Sequence, residues 1–135
     1  MKSISLTIDS KRSEILKFEN QLEKVNKEFG LSEEKFVNLQ IASSEALVNA
    51  IVHGNKGNLD KKVHIDICFS ESEIIIKIKD EGTGFIADKV PDPTEGENIF
   101  KEHGRGLFIM KSLVDVFECN PGTDGTELIL KVLKT

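Results

Sequence analysis

Three short stretches of this chain gather residue types that can do chemistry. The first is Glu45, Asn49 and His53, spaced by four. On an α-helix these span an arc of only ~80°, with Ala42, Ala46, Leu47, Val48, Ala50, Ile51 and Val52 around them. An Asn amide oxygen one turn from a carboxylate can hold Mg²⁺, a hard cation that prefers oxygen. The carboxylate can then take a proton from an incoming hydroxyl or water. A solvated helix face is the competing reading, because Glu34 and Asn38 extend the same stripe. The apolar flanks favour a lined cleft. His53 reads first as a helix-end cation near the C-terminal dipole, and only second as a catalyst.

The second stretch is Asp80, which ends an alternating apolar run and leads directly into Gly82-x-Gly84. A carboxylate at a strand end, beside backbone that a ligand can approach, suits an amino-group donor such as adenine N6. An Asp that merely caps a turn explains the same residues equally well. The third stretch is Gly104-Arg105-Gly106, just before a helical segment. Backbone N–H groups at a helix start form an anion site. Arg105 is one of two arginines in the chain, the other being Arg12, and its guanidinium can meet a phosphate. The third glycine of a Rossmann fingerprint and the GK[ST] of a Walker A loop are both missing. Eight of the ten glycines fall in close pairs, at 54/57, 82/84, 104/106 and 122/125. Gly57 and Gly122 read as plain turns.

The elements that must position these residues follow from periodicity. Residues 3–8 alternate, with Ile4, Leu6 and Ile8 on one side of a strand. Asp9 or Ser10 is placed to cap a helix whose stripe is Ile15, Phe18, Leu22, Val25 and Phe29, with Gly30 ending it in a left-handed turn. Ser32 starts a second helix, with Glu33 and Glu34 favourably placed against its dipole. It runs to about His53, ends at Gly54, and should lie deep in its apolar second half. Val63, Ile65, Ile67 and Phe69, then Ile74, Ile76 and Ile78, predict a hairpin turning at Ser70–Ser72. Residues 86–103 hold Pro91, Pro93 and Gly96 among many charges and read as a long loop. A helix over Leu107–Val114 and strands at about Val116–Cys119 and Thr126–Leu133 complete the chain. The expected fold is α+β, a two-layer sandwich. Its sheet is mixed but mostly antiparallel, with helices on one face.

Composition bounds the rest. At 135 residues, 39% hydrophobic and 30% charged, the chain supports one domain, 1–135, with one core. A net charge of −5 disfavours nucleic-acid binding. No apolar run approaches a membrane span, so a cytoplasmic protein is expected. Cys68 and Cys119 read as small, reduced hydrophobes. Arg12 is either a partner contact or a solvated helix residue.

Taken together, the segments resemble the GHKL (Bergerat-fold) ATP-binding family. SEALVNAIVHGN looks like its N box, DEGTGF like its first glycine box and GRGLFIM like its second, while Gly125-Thr126 matches the short motif that places a Thr near adenine. Within the family the chain is most similar to small bacterial anti-sigma-factor serine/threonine kinases of partner-switching systems. The resemblance implies ATP and Mg²⁺ as cofactors, Asn49 on the metal and Glu45 as general base. It implies Asp80 on adenine in a pocket shaped by Gly82 and Gly84, with Thr126 nearby. Gly104, Arg105, Gly106 and Leu107 would cradle phosphates under a lid at about 86–103. Its segment DPTEGEN is acidic and proline-bearing, a departure from the family pattern. The resemblance further implies transcription regulation through a small STAS (anti-anti-sigma) partner phosphorylated on Ser or Thr, a sigma factor as a second partner, and a homodimer. Two alternatives stand beside it. One is an ATP-gated sigma-factor-binding module with little turnover. The other is a detached kinase or ATPase subunit of a sensory assembly.

Overall fold

The computed structural model describes residues 1–82 and 107–134. Strand β1 covers Lys2–Asp9 and a 3₁₀ turn covers Arg12–Glu14. Helix α1 spans Ile15–Phe29 and α2 spans Glu33–Val48. The second helix continues as a π-helical segment, Asn49–Gly54. Strands β2, Lys62–Phe69, and β3, Glu73–Lys79, follow. A short helix α3 covers 107–113, and β4, Val116–Gly122, and β5, Gly125–Leu133, end the described chain.

The five strands form one sheet in the order β1-β2-β3-β5-β4. Its inner face is built by strict alternation. Ile4, Ile67, Ile76, Leu130 and Phe117 lie in one cross-strand row, and Leu6, Ile65, Ile78 and Leu128 in the next. The α1 stripe predicted from the sequence is the buried stripe, and it joins Leu39, Ala42, Ala46, Leu47, Ala50 and Ile51 of α2 and its extension in one core with the strands. The opposite face carries Ser5, Asp66, Lys77 and Glu118 in register, all exposed. Helices on one face of an α+β sheet are therefore as expected.

Several expectations need revision. A mixed sheet is predicted, yet all four described pairings are antiparallel. Two consecutive helices bring the chain back to the end of the sheet it left, so β2 starts beside the end of β1 and runs the other way. β4 does run in the same direction as β3, but the return strand β5 lies between them. Neither Asp9 nor Ser10 caps α1, because the 3₁₀ turn comes first. Asp9 pairs with Lys62, and Ser10 Oγ donates to the Lys61 carbonyl. Ser32 does cap α2, accepting from Lys35 N–H at 3.3 Å, and Gly30 closes α1 at φ 78°. β4 runs through Asn120-Pro121-Gly122, leaving a two-residue turn at Thr123-Asp124. An edge strand tolerates that proline. Cys68 and Cys119 are free thiols, but Cys119 is exposed on the edge strand rather than buried. Partial covering of its thiol by neighbouring atoms, then the charge of Asp80, pushes its pKa up.

Candidate functional site

Strand β3 delivers Asp80 to the sheet end, where it is 4% exposed. Its backbone N–H donates to the Thr126 carbonyl at 3.1 Å. Its Oδ1 accepts from the backbone N–H groups of Gly82 and Thr126, both at 3.0 Å. Among the described residues Oδ2 receives no hydrogen bond, and this oxygen faces Gly54: a Cβ built there would lie 2.1 Å from it. The turn-capping and ligand-facing readings of Asp80 therefore use different oxygens. One satisfies the Asx turn and the other takes no part in it.

Glycines from three elements make this possible. A Cβ at Gly82 would fall 2.0 Å from the Gly54 carbonyl oxygen, and one at Gly125 would fall 2.1 Å from the Asp80 carbonyl oxygen. Real contacts never come that close, so the backbone packs against the carboxylate only because side chains are missing there. Sequence reasoning gives Gly54 and Gly125 no site role, although each belongs to a quoted motif. The signal was proximity in space, which the order along the chain conceals.

Around this cradle lies a polar network. Asn55, 1% exposed, donates from Nδ2 to Ser10 Oγ at 2.9 Å and to the Lys62 carbonyl at 3.0 Å, and its Oδ1 accepts from Glu81 N–H at 2.8 Å. The Glu81 carboxylate accepts from Lys62 N–H at 2.7 Å and pairs with His64 Nε2 at 2.7 Å. The Lys62 amide and then His64 hold the Glu81 carboxyl below its ordinary range. Lys62 does the same for Asp9 through its ammonium.

Helix α2 presents Glu45 and Asn49. Both are half-buried, as are Asn38 and His53, while Glu34 is exposed. The stripe thus passes from open surface into a covered region. No buried side-chain polar atom among the described residues lacks a partner, and no described hydrogen bond or ion pair engages the Glu45 or Asn49 side chain. Their polar atoms therefore reach accessible space and not the core. The sequence predicts an α-helix to about His53, but the helix widens at Asn49. Ile51 and Val52 are weak helix formers, and the packing of Gly54 on Asp80 and the bonds of Asn55 set where the end must lie. The ~80° arc does not survive the wider turn, which rotates less per residue. π segments of this kind occur often at functional sites.

Thr126 is half-buried and meets Asp80 through its backbone, and Leu107 opens α3 packed against the core. Gly84, Gly104, Arg105, Gly106 and the expected lid at 86–103 lie outside the described residues. Arg12 is exposed on the 3₁₀ turn. No three His, Cys, Asp or Glu side chains cluster as a metal site among the described residues. A groove of about 720 Å³ lined by Lys2, Phe29, Phe69 and Lys134 lies at the other end of the sheet, away from all of these groups.

The model of the histidine kinase-like ATPase domain matches residues 11–132. The chain belongs to that family. This agrees with the GHKL resemblance carried by the N box and glycine boxes. Among curated relatives, the serine-protein kinase RsbW of Oceanobacillus iheyensis is 32% identical over 97 residues, covering 67% of this chain and 61% of that one. The anti-sigma F factor of Bacillus thuringiensis is 34% identical over 89 residues, covering 63% of this chain and 60% of that one. The chain thus matches about three-fifths of the length of these relatives. Among solved structures, the RsbU and RsbW domains of Rv1364c from Mycobacterium tuberculosis align with a TM-score of 0.72 at 18% identity, covering 98% of this chain and 33% of that one. That likeness establishes the fold. No described helix is long and apolar enough to cross a membrane.

Proposed function

We propose that this protein is an ATP- and Mg²⁺-dependent protein serine/threonine kinase of the partner-switching type. Its substrate is a Ser or Thr on a small STAS partner, and it also serves as an anti-sigma regulatory factor. The observation that carries the reading is the divided carboxylate of Asp80, with Oδ1 held by two backbone amides and Oδ2, packed beside Gly54, given no hydrogen bond among the described residues. Such an acceptor, fixed and partly desolvated, suits the exocyclic amine of adenine. The relatives named serine-protein kinase and anti-sigma F factor support the choice of phosphoryl transfer and of partner.

The chain's own residues then take these roles. Asp80 accepts the adenine amine, with Gly82, Gly84 and Thr126 bounding the base. Asn49 offers an amide oxygen to the metal. Its half-buried, unengaged side chain fits a cation that draws most of its ligands from phosphate and water, as is usual for Mg²⁺. When bound, the metal neutralises phosphate charge. Glu45, one turn earlier, takes the proton of the attacking hydroxyl. Gly104, Arg105, Gly106 and Leu107 stabilise charge on the phosphates under the 86–103 lid. Positioning and electrostatics do most of the work in such transfers. The protein acts as one domain, 1–135, as a cytoplasmic homodimer that regulates transcription.

The deciding experiment is transfer of labelled γ-phosphate to a STAS-domain protein encoded beside this one. A phosphorylated Ser or Thr on that protein is expected. Stoichiometric capture of a sigma factor without transfer would overturn the kinase reading in favour of a binding module.

A further inference from the structure

The quoted N-box stretch ends on Asn55, a residue to which the proposed chemistry gives no role. Asn55 stands immediately after the π-helical end of α2, and its backbone N–H donates to the Ala50 carbonyl at 2.8 Å. Its side chain is buried and both ends are engaged. Nδ2 is anchored to Ser10 Oγ and the Lys62 carbonyl, next to the end of β1 and the start of β2. Oδ1 receives the Glu81 N–H.

That last bond bears directly on Asp80. The peptide preceding Asp80 is pinned by its N–H on the Thr126 carbonyl. The peptide following it is pinned by the Glu81 N–H on Asn55. With a hydrogen bond on each peptide the Asp80 backbone is restrained from both sides, and the two amides on Oδ1 restrain the side-chain torsions. Asn55 is the only side chain among the described residues that accepts from either peptide. Strand pairing does not replace it, because the β2–β3 register on that side ends at His64 and Lys79.

We propose that Asn55 is a positioning residue that acts through Glu81 N–H to aim the free oxygen of Asp80 at the amine of a purine. This rests on the nucleotide reading above. The readout is discrimination between ATP and inosine triphosphate, which lacks the 6-amino group, measured by calorimetry on the full chain. The wild type should prefer ATP. Asn55→Ala should lower that preference by about tenfold, the scale of one hydrogen bond to a charged group. Val25→Ala, a cavity in the α1 stripe, should lower the thermal midpoint and leave the preference intact. An Asn55→Ala protein that discriminates as well as the wild type would overturn the inference alone. A wild type that binds both nucleotides equally would overturn the assignment of Asp80 to the adenine amine as well. Should Asn55→Ala not fold, amide exchange at Glu81 in the wild type decides. Stronger protection with ATP than with inosine triphosphate supports the inference, and equal protection overturns it.

Discussion

Gly54 and Asp80 lie so close that an ordinary side chain at position 54 would stand 2.1 Å from the carboxylate. These residues are 26 positions apart and arrive from different elements, the π-helical end of α2 and the end of β3. Gly54→Ala must therefore push the carboxylate or the helix end aside. Overpacking of this kind costs about 1–3 kcal/mol. Urea denaturation should show that loss, and calorimetry should show ATP affinity falling further than it does for Gly57→Ala, where a Cβ would meet nothing within 4 Å.

Asp80→Asn keeps the shape of the site but removes its charge and one acceptor. ATP binding should weaken by about tenfold or more, the worth of a hydrogen bond to a charged group. Unchanged affinity by calorimetry would refute the adenine assignment.

Glu45→Ala should leave nucleotide affinity near the wild-type value while phosphate transfer to the partner falls by ~10²–10⁴, the usual contribution of a general base. The two measurements must be made on one preparation, since their contrast is the test. Transfer at a near-normal rate would remove Glu45 from the mechanism.

Acid stability should carry a signature of Glu81. Its folded pKa lies below the ordinary 4.5 because the Lys62 amide and His64 favour the carboxylate. The unfolded chain takes up the proton first as pH falls. The stabilisation is thus fully present above about pH 4.5 and is lost as pH falls through the lower folded value. Denaturant midpoints measured from pH 7 to pH 3 should drop less steeply below pH 4.5 in Glu81→Gln than in the wild type. Parallel curves would show that the pair contributes nothing.

What the chain determined by itself was the set of elements and their buried faces, which depend on periodicity and on local chemistry. Phe18, Leu22 and Val25 recur at helical spacing, and Ile65, Ile67, Ile74 and Ile76 alternate, so elements and buried faces follow directly. Ser32 and Gly30 mark helix boundaries because capping and positive φ are local needs. The candidate residues Glu45, Asn49 and Asp80 were legible because few other polar groups interrupt apolar runs.

Only the tertiary structure decided how those parts meet. No local rule states that β5 returns between β3 and β4, because strand order depends on which edges find each other. The switch from α to π at Asn49 was hidden for the same reason. It follows from where Gly54 and Asn55 must sit against Asp80 and Glu81, and such contacts between distant residues override weak helix propensity. The division of labour between the two oxygens of Asp80 is likewise a property of Thr126, Gly82 and Gly54 arriving together, which a linear sequence does not express.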